Sequence, residues 1–133
     1  MTPKYRAWDK EFKEMVQVDA LVFEEQIIKA TYKNGNVVKE DLKNYILMQS
    51  TGLTDKNGKE IFEGDVVTDG YTTGDIKHHT TYGFYMVDDK GIERWFSDGN
   101  CIEDFEKDAK TASEILEIIG NIWEDGELLE VSS

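Results

Sequence analysis

Residues 50–67 read STGLTDKNGKEIFEGDVV, with three glycines, an Asn-Gly pair and five acidic or amide side chains in eighteen positions. Whether this stretch is an ion site or a chain reversal decides the fold. A calcium loop of the EF-hand kind needs oxygen ligands at positions 1, 3 and 5, a glycine at 6 and a bidentate glutamate at 12. With Gly58 at position 6 the two ends are Leu53 and Gly64; with Asp55 at position 1, position 6 is Glu60 and position 12 is Val66. Neither register supplies the ligands. A turn asks for less. Asn57-Gly58 reverses the chain, because glycine takes a positive φ at little steric cost, and Ile61, Phe62, Val66 and Val67 enter a core. Gly64-Asp65 then breaks or bulges the strand before it continues.

The same punctuation recurs at Asn34-Gly35, Asp69-Gly70, Lys90-Gly91, Asp98-Gly99 and Asp125-Gly126. Between these corners lie short segments rich in β-branched and aromatic residues, the rhythm of a mainly β protein. In TYGFYMVDDKGIERWFSD, residues 81–98, Phe84, Met86 and Asp88 point one way and Tyr85 and Val87 the other. DDKG turns the chain, and Ile92, Arg94 and Phe96 alternate with Glu93 and Trp95, which predicts a hairpin. Aromatic residues on both of its faces imply core on one side and partial cover from a neighbouring element or subunit on the other.

Residues 22–50, VFEEQIIKATYKNGNVVKEDLKNYILMQS, read as strand, Asn-Gly turn, polar loop and strand. SEILEIIGNIWED, residues 113–125, fits two periods. Ile115, Ile118, Ile119, Ile122 and Trp123 make a helical stripe, whereas Leu116, Ile118 and Ile122 alternate as in a strand. Four χ1-stiff isoleucines suit a pleated surface, and Gly120 costs a helix about 1 kcal/mol, so a strand is predicted. Thr111 and Glu114 have the spacing of a capping box. The acidic stretch EDFEKDAKTAS before it holds one short helix or a loop.

At 133 residues the chain is long enough for one ordinary domain, or a small domain with an extension, and for a real hydrophobic core. Its 39% hydrophobic and 32% charged residues, with six Phe, six Tyr and three Trp, are too aromatic for disorder and too polar for a membrane protein. The start lacks a secretory profile, and no apolar run approaches the roughly twenty residues that cross a bilayer, so the cytoplasm is the predicted compartment. Cys101 is alone, which rules out an internal disulfide. Acidic neighbours raise a thiol's pKa and blunt its reactivity, so its expected role is packing. The net charge of −13 repels phosphate backbones over about 8–10 Å, and direct nucleic-acid binding is not expected. Residues 1–50 carry 8 basic and 8 acidic side chains, 51–102 carry 5 and 10, and 103–133 carry 2 and 10.

His78 and His79 are adjacent, so on a strand their rings project to opposite faces and do not share a metal ion. No Ser or Cys at a recognisable spacing marks a nucleophile for either imidazole. Carboxylate pairs at Glu24-Glu25, Glu40-Asp41, Asp88-Asp89, Glu103-Asp104 and Glu124-Asp125 are commonplace in so acidic a chain, and solvent is their expected partner. No phosphate loop, dinucleotide fingerprint or nucleophile elbow is present. The reading assigns no catalytic residue, no cofactor and no metal ligand.

YRAWDKEFKEMV, MQSTGLTDKNGKEIFEGDVV, YGFYMVDDKGIERWF and IIGNIWEDGELL, in this order, make the chain resemble the YopX family of small phage and prophage proteins. TGLTDKNGKEIFEGD followed by Val66-Val67 is the most specific part, and IGNIWEDGELL is second. Gly126 stands where a proline is common in the family. The resemblance implies a mainly β fold, with an SH3-like small barrel, or roll, at residues 50–133 and a β-rich N-terminal extension at 1–49 packing on it. It implies a cytoplasmic protein of a phage-bearing bacterium, and no reaction.

The expected function is that of a noncatalytic protein-interaction or self-assembling module. It forms a homo-oligomer through exposed aromatic or edge-strand surface, with Trp8, Tyr85, Trp95 and Trp123 as candidate anchors, each with plain core as its rival reading. The alternative is an acidic DNA mimic that uses the carboxylates of residues 103–130 in place of phosphates to occupy a nucleic-acid-binding protein.

Overall fold

Pleated segments closed by glycine corners form two antiparallel sheet systems in the computed structural model, which describes residues 4–96 and 102–125. The turn expected at Asp98-Gly99, the packing expected of Cys101 and the chain from Gly126 onward lie outside these residues. The chain folds as two units, Met1–Gln49 and Ser50–Ser133.

The first unit contains β1 (Tyr5–Asp9), β2 (Glu14–Val22), β3 (Ile27–Thr31), β4 (Val37–Asp41) and the start of β5 (Tyr45–Thr54), in the order β4-β3-β2-β1-β5. Period-2 alternation explains its core. Ile28 and Ala30 of β3 are buried with Ala7, Val16 and Tyr45, while Ile27, Lys29 and Thr31 take the other face. Trp8 is also buried, at 8% exposure, which places it in the interior and removes it as a surface anchor. One expectation fails here. The supposed polar loop after Asn34-Gly35 is strand β4, paired with β3 from Thr31↔Val37 to Ile27↔Asp41. Only Val38 of β4 packs on the core, so an edge strand held by its neighbour's backbone leaves almost no hydrophobic trace.

In the second unit, residues 50–54 of β5 pair with β6 (Glu60–Phe62). Then come β7 (Asp65–Thr68), β8 (Thr73–His79), β9 (Gly83–Asp88), β10 (Glu93–Trp95), α1 (Ile102–Ile115) and β11 (Glu117–Asn121). The sheet order is β10-β9-β8-β7-β11, and among the described residues its edge strands β10 and β11 do not pair, so it is open. Leu53, Ile61, Val67, Ile76 and Met86 form the core with Ala112 and Leu116. Ala109 and Ala112 of α1, with Leu116 just past its end, recur at helical spacing, and among the described residues this small apolar stripe packs on the sheet. The helix therefore runs through Ser113, Glu114 and Ile115, where a strand was expected, and Thr111 lies inside it instead of capping it. Strand character begins at Glu117, and a bulge between Ile118 and Gly120 shifts β11 along Val67 and Val66.

The 50–67 stretch is a turn with a buried hub. Gly58 has φ +79°, and its N–H donates to the Asp55 carbonyl at 3.0 Å. The Asp55 carboxylate is 1% exposed. Its Oδ1 accepts from the amides of Asn57 and Lys59, each at 2.9 Å, and its Oδ2 accepts from the Ile118 amide at 2.9 Å. Lys56 adds two links to the same place, its N–H to the Leu116 carbonyl at 2.8 Å and its ammonium to Glu117 Oε2 at 3.1 Å. Burial by itself raises the Asp55 pKa, but the three amide donors, with Lys59 beside them, outweigh it and hold the carboxyl below its usual range.

DDKGI repeats this design. Asp88 Oδ1 accepts from the amides of Lys90 and Ile92 at 2.9 Å, and Gly91 N–H donates to the Asp88 carbonyl at 3.0 Å. Asp88 was expected to face solvent; it is buried because its oxygen substitutes for water at the loop's amides.

Replacing Asp55 with Ala leaves three amides without an acceptor, and the loss of stability, read from urea denaturation, should be on the order of 3 kcal/mol. A depressed folded pKa gives stability that is complete above the unfolded value of about 4 and fades as pH falls through and below it. The wild-type urea midpoint should therefore drop on acidification more steeply than that of Asp55→Ala. Gly74→Ala is a second test, since a Cβ there would overlap the Val87 carbonyl and the Met86 side chain. It should destabilise by roughly 1–3 kcal/mol in the same assay.

Candidate interaction surface

Strand parity gives the β8-β9-β10 hairpin system two unlike faces. Ile76 and Met86 point into the core, and the His78 ring stacks on Phe84 at 4.4 Å, with Phe84 itself packed on the core. On the opposite face the register aligns Lys77, Tyr85 and Trp95 in one row and Asp75, Val87 and Glu93 in the next. The Tyr85 and Trp95 rings stack with centroids 4.3 Å apart and planes 20° apart.

The β8–β9 turn completes the group. His79 Nδ1 accepts from the amides of Thr81 and Tyr82 at 3.1 and 3.2 Å, which folds Tyr82 back over the imidazole, with centroids 4.8 Å apart. Trp95 meets His79 and Tyr82 edge-on, each at 6.2 Å. Tyr82 is 65% exposed and Trp95 is 44% exposed, so four rings form a platform that water covers. Its polar edge is short: Trp95 Nε1 donates to Glu93 Oε2 at 3.2 Å, and Lys77 pairs with Asp75 at 3.1 Å. Flat, partly desolvated rings suit recognition of another surface.

Of the four residues singled out in the sequence, the fold brings Tyr85 and Trp95 into contact. Trp8 is interior, and Trp123, 37% exposed, sits in the turn after β11, outside this stack. His79 and Tyr82 were not foreseen as members of the surface. The signal was a His three residues before a Tyr in a tight turn, where the imidazole nitrogen serves the same purpose as an Asx oxygen. His78 and His79 do project to opposite faces. Among the described residues no three His, Cys, Asp or Glu side chains gather in an arrangement that holds a metal ion. No helix among them is long and apolar enough to cross a membrane.

A second polar cluster lies in the first unit. Tyr32 donates to Asp9 Oδ2 and lies 2.7 Å from the Tyr45 hydroxyl, which is 3.2 Å from Glu40 Oε2. Burial first, then the hydrogen bond to Asp9, push the Tyr32 phenol far above its usual pKa, and burial lifts Tyr45 as well. Asp9 Oδ1 is taken by the amides of Glu11 and Phe12. Phenols held protonated beside a carboxylate whose two oxygens are both engaged tie strands together and offer no nucleophile.

A crystal structure of protein EF1440 from Enterococcus faecalis is similar to this chain, with a TM-score of 0.63 and 27% sequence identity over 97% of this chain and 99% of that one. No curated protein matches the sequence. The family model for YopX protein matches residues 4–130, nearly the whole length. The turn built on Asp55 and the hairpin that carries the aromatic platform both fall within that match, and the chain belongs to the YopX family.

Proposed function

We propose that the protein is a noncatalytic interaction module that engages a protein partner, or a further copy of itself, through His79, Tyr82, Tyr85 and Trp95. The observation that carries this reading is the stack of half-buried Tyr85 on exposed Trp95, set by a three-strand register. Burying such rings against a complementary surface gives large binding gains at little conformational cost, because each has only two rotatable side-chain bonds. An SH3-like roll for the second unit is supported by the return of β11 to pair with β7, the first strand of its sheet, and by α1 lying between the last two strands in the sequence. Action in the cytoplasm of a phage-bearing bacterium accords with family membership.

The acidic-decoy reading has less behind it. Among the described carboxylates of residues 103–130, Lys107 and Lys110 interrupt Glu106, Asp108 and Glu114 along α1. A phosphate mimic needs its carboxylates exposed and in rows.

In affinity capture from the host and in sedimentation, Tyr85→Ala with Trp95→Ala should lower affinity for the protein that the wild type captures, or self-association, by more than about tenfold. Thermal stability should change little, since Trp95 is half exposed. Unchanged partners and unchanged sedimentation in that variant would remove the proposal.

A further inference from the structure

The outer face of the first unit holds a feature that the aromatic platform does not explain. Lys29 of β3 and Lys39 of β4 are directly opposed in the antiparallel register, and both are exposed. Like charges placed directly across a strand pair destabilise it. Among the described residues neither ammonium has an acidic partner. The acids on that face are engaged elsewhere: Asp41 with Lys43 and its amide, and Asp19 with Gln17 and Thr31.

A lone lysine on an edge strand is a common guard against edge-to-edge aggregation, and Lys39 by itself fits that role. Lys29 does not, because β3 is flanked by both β2 and β4. The two lysines line a groove of about 460 Å³ together with Ala20, Val22, Ile27 and Val37. Beside it runs β4, which among the described residues pairs only with β3, so every second residue along it turns its N–H and C=O outward.

We propose that Lys29 and Lys39 form the receptor for an extended, glutamate- or aspartate-bearing segment of a partner protein that adds as a strand alongside β4. Backbone hydrogen bonds to the free edge hold the segment. Its carboxylate relieves the lysine pair, and the apolar residues that alternate with it fall on the opposite face, in line with Val38 at the edge of the core. The charge selects the partner: the groove accepts acidic-apolar alternation and rejects basic segments.

The test uses the full chain and a fluorescein-labelled octapeptide of alternating valine and glutamate, with a valine-lysine octapeptide as control. Saturable binding of the glutamate peptide is expected, weakening as salt is raised. Lys29→Met and Lys39→Glu should each reduce affinity by about tenfold, with unchanged circular dichroism, and amide shifts in NMR should centre on residues 37–41. Trp95→Ala should leave the peptide affinity as it is, which separates this edge from the aromatic platform. Absence of binding, equal binding of the lysine peptide, insensitivity to both lysine substitutions, or shifts away from β4 would each overturn the proposal. So would a self-associated species that Lys39→Glu disperses, because the occupant would then be a second copy of the chain.

Discussion

The carboxylate of Asp55 is the constraint on which the second unit depends. It closes its own turn through the amides of Asn57 and Lys59, and it also receives the Ile118 amide from a strand 63 residues further along the chain. A buried charge is costly unless hydrogen bonds replace its hydration, and here three amide donors do so. One side chain thereby satisfies a loop and fixes where α1 ends and β11 begins. Lys56 reinforces that junction from the neighbouring position. The sheet order follows, because β11 must lie along β7 for its amide to reach the turn.

The same chemistry, repeated at Asp88, governs the hairpin. The loop is stiff because its amides are bound by a buried oxygen, so β9 and β10 meet in a fixed register. Register decides which side chains share a face. Phe84 and Met86 go to the core, and Tyr85 is set against Trp95 on the side exposed to water. The aromatic platform is thus a consequence of turn chemistry and pleat parity, with His79 adding a further local constraint at the other end of β9.

The charge distribution separates the two units. The acidic excess lies wholly after residue 50, while the first fifty residues are balanced. Long-range fields therefore steer basic surfaces toward the second unit, whereas the unpaired Lys29 and Lys39 make one strand edge of the first selective for acid. The functional reading rests on surfaces throughout, and the buried polar groups, including the Tyr32–Asp9 pair, serve the architecture.

Much of the plan was readable in the residues themselves. Asn57-Gly58 and Lys90-Gly91 announce reversals because positive φ is cheap only for glycine, and alternation around Phe84–Val87 announces a two-faced strand. What could not be read is whatever depends on distant partners. VVKED became a strand because β3 supplied hydrogen bonds, and Ser113–Ile115 became helix because Ala109, Ala112 and Leu116 found a sheet to cover. Asp55 became buried because Ile118 brought it an amide, and His79 and Tyr82 joined the platform because a turn delivered them to Trp95. Sequence determined the corners, the alternating faces and those strands with an apolar alternation of their own, since these follow from the conformational limits of each residue and its neighbours. Tertiary structure alone decided which polar groups were buried and which rings stood together, since both depend on pairings between segments far apart in the chain.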